Sequence, residues 1–200
     1  MVHTKRLLLE TIYVGSIAGT YTSPEFNLDD AQGFAIVASA TADSISNETF
    51  TSSDVALSVI TIAAHGYKLG LKVRFTTTGT LPSGLSLATD YFLTDLTENS
   101  LLVSTSYANA LAGNYVTLAD GGSGTHTISI QTSTPVNIML EGTIDNEIWV
   151  NINNSAKELS SEPYLLEHEI AFFHKLRVLL VVDGGQYSVN AKIMIKGGPF

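Results

Sequence analysis

The chain has 200 residues, 44% of them hydrophobic, and carries 10 basic against 19 acidic side chains for a formal charge of −9. That is enough apolar material for one large core or two small ones, and a negative balance with no Lys/Arg stripe against it excludes nucleic acid as a partner. Cysteine is absent, which excludes disulfides and thiolate metal sites and leaves stability to packing and subunit contacts.

Lys5-Arg6 followed by Leu7-Leu8-Leu9 begins like a secretory signal, but Glu10 interrupts the apolar run far short of the roughly 7–15 residues a signal core needs. No stretch approaches the ~20 apolar residues of a membrane span. A soluble, unprocessed chain without a membrane partner is expected. From Leu7 to Tyr13 the residues alternate as in a strand, with Leu7, Leu9, Thr11 and Tyr13 on one side and Leu8, Glu10 and Ile12 on the other, until Gly15 breaks the run. A turn at Gly19 leads to Thr20-Tyr21-Thr22, Asp29 to Gly33 reads as a polar connection, and Phe34 to Ala38 is the next strand. Residues 41–54 are rich in Ser, Thr, Asn and Asp without a helical period, which marks a linker or long loop.

A second series of strands follows. Ser58 to Ala63 is β-branched, His65-Gly66-Tyr67 and Leu69-Gly70 make turns, and Lys72 to Thr77 alternates. Pro82 and Gly84 stop regular structure. Tyr91 to Thr94 and Leu101 to Ser104 flank Glu98-Asn99-Ser100 as a hairpin. Ser106 to Leu111 reads as one helical turn ended by Gly113, and strands at Val116 to Leu118 and His126 to Ile130 enclose a flexible Asp120-Gly121-Gly122-Ser123-Gly124 loop. Beyond it, Val136 to Thr143 nearly alternates, and Ile148 to Ile152 contains the lone Trp149, expected as a core anchor. Pro163 to Phe173 fits a short amphipathic helix or strands, with extended structure favoured. Lys175 to Val182 and Tyr187 to Ile195 read as a terminal hairpin through Asp183-Gly184-Gly185-Gln186, the two glycines supplying positive φ and Val189, Ala191, Ile193 and Ile195 facing the core.

None of the candidate chemical sites is well formed. His65 and His126 could meet across the inner strands, yet two imidazoles without a third ligand make a poor zinc site. Glu167, His168, Glu169 and His174 gather on neither a helix nor a strand and lack zincin spacing. Asp29-Asp30 and Asp145-Asn146-Glu147 lack a calcium-loop pattern and read as Asx turns. Gly122-Ser123-Gly124 is neither a nucleophile elbow nor a phosphate loop. Tyr13, Tyr21, Tyr67, Tyr91, Tyr107 and Trp149 are candidate sugar-stacking groups, with core or interface roles the simpler reading. The expectation is no catalytic residue, no cofactor and no metal.

Several short motifs occur in a fixed order: Val59-Ile60-Thr61-Ile62, His65-Gly66, the run from Lys72 to Leu85, Asp90-Tyr91-Phe92, Ala108 to Gly113, and Gly122 to Thr127. Together, over about a third of the chain, they resemble a small β module that recurs in structural proteins of tailed bacteriophages. The outer segments are similar to phage β-sandwich proteins with a Leu-Arg-Val strand near the end, here Leu176-Arg177-Val178. The resemblance implies a virion component. The expected fold is all-β: a discontinuous antiparallel, jelly-roll-like sandwich from 1–52 and 131–200, with a small barrel-like domain inserted at 53–130. The expected function is non-enzymatic, a head decoration or auxiliary capsid protein or a head-fibre or tail accessory subunit. Such a subunit would form homo-oligomers, bind other virion proteins and reside in the virion after assembly in the host cytoplasm. The alternative is a receptor- or glycan-binding module of a fibre or tail tip. Exposed aromatic groups beside Asn or Asp on loops mark that alternative, whereas broad apolar patches mark decoration.

Overall fold

Alternating burial along the runs from Lys72 to Thr77, Asn137 to Thr143, Lys175 to Val181 and Tyr187 to Gly197 dictates sheets with one dry face. The computed structural model describes residues 7–29, 31–131, 135–152, 156–169 and 173–197. Its elements are β1 (Leu7–Ile17), β2 (Thr20–Thr22), β3 (Phe26–Asn27), β4 (Ala31–Ala42), β5 (Glu48–Thr51), β6 (Val55–Ala56), β7 (Val59–Thr61), β8 (Lys72–Thr77), β9 (Tyr91–Thr94), β10 (Ser100–Ser104), helix α1 (Tyr107–Leu111), β11 (Thr125–Ile130), β12 (Asn137–Thr143), β13 (Val150–Asn151), β14 (Lys157–Glu158), β15 (Tyr164–Glu169), β16 (Lys175–Val181) and β17 (Tyr187–Gly197). The fold is all-β and sandwich-like, with α1 a single turn capped by Ser106, whose side chain accepts from the Asn109 amide.

Two sheets make the sandwich, in the orders β1-β17-β4-β15 and β13-β12-β16-β2, with β14 and β3 added beside β12 and β16. Their inner faces share one core that includes Ile36, Ile138, Leu140, Leu176, Val178, Leu180, Ala191 and Ile193, all at most 1% exposed. Burial of each large aliphatic side chain contributes roughly 1.5–3 kcal/mol. First and last segments therefore close on each other through β1–β17 and β17–β4.

Between them lies a seven-stranded sheet in the order β5-β11-β8-β9-β10-β7-β6, around its own core of Phe50, Ile60, Val73, Phe75, Leu93, Leu101, Val103 and Ile128. Its two edge strands, β5 and β6, are joined only by the one-turn 3₁₀ segment Ser52–Asp54. Such a link reaches about 14 Å, whereas seven flat strands would span roughly 29 Å. The sheet must curl until its edges approach, which gives it a barrel-like form.

Several expectations are corrected. β5 pairs with β11, so the chain enters the inner sheet before residue 52 and the supposed linker contains a strand; its Phe50 is an inward-facing anchor. β1 does not break at Gly15 but runs to Ile17, and a bulge between Thr11 and Tyr13 resets the alternation, so that Tyr13 stands beside the inward Ala191 while Leu9, expected on the same face as Tyr13, stands beside Met194 and faces out. Val116 to Leu118 form no ladder; the Val116 amide donates to the Val103 carbonyl and the Leu118 amide to Ser58 Oγ. Pro163 to Phe173 is extended where described, as β15 against β4; Ile170, Ala171 and Phe172 lie outside the described residues.

The largest correction concerns the terminal hairpin. β16 pairs with β12, β2 and β3, and β17 pairs with β1 and β4, so the two strands belong to opposite sheets. Gly184 and Gly185 do take positive φ, 95° and 75°, but the connection arches across the core. Inward Val189, Ala191, Ile193 and Ile195 are as expected, each at most 7% exposed; they face Leu176, Val178 and Leu180 across the sandwich instead of lying beside them.

Candidate interaction surfaces and the junction between the β units

The inserted sheet is seated on the sandwich by a small number of specific contacts. Tyr107, the first residue of α1, puts its ring against Gly19 and Gly70, where a Cβ on either glycine would lie inside the ring; both have positive φ, 92° and 83°. Its hydroxyl accepts from the Thr20 amide at 2.8 Å and donates to the Thr20 carbonyl at 3.0 Å. Ala18 joins the inner core. Lys72 pairs with Asp183 at 3.1 Å, and the Ile130 amide donates to Asn47 Oδ1 at 2.9 Å, pinning entry and exit of the inserted segment together.

A polar hub completes this junction. Asp43, at the end of β4, accepts from Ser16 Oγ, from Ser188 Oγ at 2.6 Å and from Gln186 Nε2 at 3.0 Å; the same amide nitrogen also reaches the Gly66 carbonyl at 3.3 Å. Burial pushes the Asp43 carboxyl up, but the hydrogen bonds from Ser16, Ser188 and Gln186 outweigh it and hold the group below the ordinary carboxylate range. Gln186 is 5% exposed and its Oε1 is buried without a hydrogen-bond partner. No local signal in the sequence marks Asp43, which sits in a Ser/Thr-rich stretch; Gln186 is visible only as a polar neighbour of Gly184-Gly185.

The sequence candidates fall in separate places. His65 takes the Tyr67 amide on Nδ1 at 3.0 Å and places Nε2 3.3 Å from the Ser100 carbonyl, while its ring stacks on Tyr67. His126 is fully buried between Thr77 Oγ1 at 2.9 Å and the Gly121 carbonyl at 3.0 Å. The two histidines thus have different partners. Loop 120–124 is tightly held, contrary to the expected flexibility: Asp120 accepts the Ser83 and Gly122 amides, which lowers its pKa, and Ser123 bridges to Thr80. Asp29 pairs with His174 at 2.7 Å, and that hydrogen bond holds its carboxyl below the usual range; Asp30 lies outside the described residues. Asp145 caps the Glu147 and Ile148 amides as an Asx turn, with Asn146 at φ 65°. Glu167, His168 and Glu169 lie on β15 opposite Ala35, Phe34 and Gly33; their side chains lie outside the described part of the structure. Among the described residues no three His, Asp or Glu side chains gather as a metal site.

The aromatic candidates are engaged in packing. Tyr13 and Tyr21 lie 4.6 Å apart and donate to the Ser16 and Ile12 carbonyls. Tyr67 is buried and donates to the Ser46 carbonyl, and burial pushes its pKa up to about 12. Tyr91 is buried against Phe75. Trp149 is not the expected core anchor: it is half-buried, with the Arg177 guanidinium 4.3 Å from its ring centre and Arg177 held in turn by Glu141 at 2.6 Å.

Among the described residues, single apolar side chains such as Leu57, Leu87 and Leu111 are exposed on the inserted unit, and two groups of them lie on the sandwich. On the outer face of the four-stranded sheet, Leu165 and Val37 share a row with Lys192 and Thr11, and Ala35, Met194 and Leu9 form the next row, so the apolar side chains there surround one lysine. Leu9, Val37 and Leu165 are 62%, 39% and 50% exposed. The second group is in the turn from Ile144 to Val150, where Ile144, Ile148 and Val150 all face solvent.

No protein-family model matches the chain, and no curated protein sequence matches it. Among solved structures, VP17, a capsid protein of bacteriophage P23-77, aligns over 96% of this chain and 95% of its own at 9% identity and a TM-score of 0.20. That score lies well below what a shared topology requires.

Proposed function

We propose that this chain is a non-enzymatic structural protein of a bacteriophage virion, a head decoration or auxiliary capsid protein or a head-fibre or tail accessory subunit, that binds neighbouring virion subunits. The observation that carries this reading is the uncovered apolar patch of Leu9, Val37 and Leu165 on an ordered sheet, the kind of surface that marks a protein contact. The ordered motifs of the inserted module, with their resemblance to phage structural proteins, support it. So does the use of His65, His126, Asp120 and Asp145 to close turns of the fold. Tyr13, Tyr21, Tyr67 and Tyr91 are spent on packing, which favours assembly over glycan stacking.

Repetition is the mechanism. A contact of modest strength, copied around a symmetric particle or oligomer, holds a subunit by avidity, and apolar contact offsets the mutual repulsion of chains that each carry −9. Antibodies against the recombinant chain, imaged by immuno-electron microscopy on intact particles of the phage that encodes it, should label the particle surface. Labelling confined to the lysed-cell fraction would contradict the proposal.

A further inference from the structure

A cavity of about 330 Å³ opens at the junction, lined by Ala42, Asp43, Ile45, Ile130, Gln186 and Tyr187 among others. Its volume is at the lower end of sites that take small groups, roughly 300–1,000 Å³. Two of its polar groups are electrically incomplete. Asp43 is held by neutral donors alone, Ser16, Ser188 and Gln186, and no cation pairs with it among the described residues. Gln186, 95% buried, spends its amide hydrogens on Asp43 and the Gly66 carbonyl, leaving Oε1 without a donor. Turning the amide over would set Oε1 against the Asp43 carboxylate, so the orphan is not removed that way. A buried acceptor without a partner is costly, and an incoming donor would recover that cost.

We propose that this cavity is a receptor for an alkyl guanidinium, the end of an arginine side chain from an adjoining virion protein. Asp43 supplies the negative charge, and a small shift of the buried Gln186 amide would bring Oε1 as a neutral acceptor to the same planar fork of five N–H donors. Ala42, Ile45 and Ile130 offer aliphatic walls for the stem, and the half-buried Tyr187 ring offers a face for the cation. A guanidinium is also more weakly hydrated than an ammonium and loses less on entering a partly dry site. The net charge of −9 favours a basic partner. That the occupant belongs to a neighbouring protein rests on the structural-protein reading; the selectivity of the cavity does not.

The test is a titration of the isotopically labelled full chain with n-butylguanidinium, n-butylammonium, putrescine and the neutral analogue n-butylurea, followed by NMR at the Gln186 side-chain amide and the Tyr187 ring. Saturable shifts with n-butylguanidinium, at least tenfold weaker with n-butylammonium and putrescine and none with n-butylurea, are expected; Asp43→Asn should weaken binding at least tenfold. Equal or tighter binding of the ammonium or the diamine would overturn the arginine assignment. Unsaturating shifts with every probe would mean a cavity that holds only water and would overturn the site. The wild-type comparison decides whether or not Asp43→Asn folds, and neither result depends on whether antibodies label the particle.

Discussion

Tyr107 seats the inserted sheet on the sandwich, and its removal in two different ways should give separable costs. Tyr107→Phe keeps the ring between Gly19 and Gly70 but loses both bonds to Thr20. These bonds are solvent-accessible, so the loss should be about 1–2 kcal/mol, and at ~2–4 °C per kcal/mol for a chain of this size Tm should fall by about 2–8 °C. Gly19→Ala is harsher, because its φ of 92° already costs an L-residue about 1–2 kcal/mol, and its new Cβ evicts the ring from its bonds and from its edge contact with Phe92. A total of about 3–5 kcal/mol follows. In a Tyr107→Ala background no ring remains to evict, and Gly19→Ala should then cost only the backbone share. Urea denaturation of the four proteins, followed by far-UV circular dichroism, measures this cycle. A coupling of about 1.5–3 kcal/mol is expected; strictly additive single costs would refute the claim that Tyr107 and Gly19 share one packed site.

Other consequences can be checked with the same protein. Val189→Asp places a carboxylate in the sandwich core at a position 3% exposed, and the several kcal/mol of an unpaired buried charge should abolish soluble folded protein, which expression yield and circular dichroism would show. Trp149→Ala should cost only ~1–2 kcal/mol, through the Arg177 contact, and not the ~3–5 kcal/mol of a deleted core aromatic; chemical denaturation distinguishes the two. The folded Asp43 carboxyl titrates below its ordinary value near 3.8, so its stabilising share is complete above that pH and is lost as pH falls through the folded value. Stability measured against pH should therefore drop less on acidification in Asp43→Asn than in the parent.

Much of the fold is legible because local and global demands agree. Lys72 to Thr77 alternates and is a strand, the Tyr91–Thr94 and Ser100–Ser104 hairpin forms in the expected place, and Ser106 caps the one helical turn. What the sequence conceals is which strands become neighbours. Alternating runs around Gly184-Gly185 describe a hairpin and an arch equally well, since each strand needs one dry face in both. Trp149 reads as a core residue by size, but the half-buried ring is satisfied by a guanidinium supplied from a different strand. β5 was masked by polar Thr and Ser around a single inward Phe50. The candidate site was less legible still: Asp43 and Gln186 are 143 residues apart, and the outward patch needs the β15–β4–β17–β1 register before Leu165, Val37 and Leu9 can be seen on one face.

The outer face of the four-stranded sheet can be tested directly with the double substitution Val37→Lys and Leu165→Glu, an outward pair opposed across two strands. Its opposite charges suit a cross-strand pair, so the fold should be retained. Incorporation of the tagged double variant into particles, measured against the wild-type chain by quantitative mass spectrometry, should fall at least tenfold while its melting temperature stays within a few degrees. A folded variant that enters particles as well as the parent would contradict a contact role for this face.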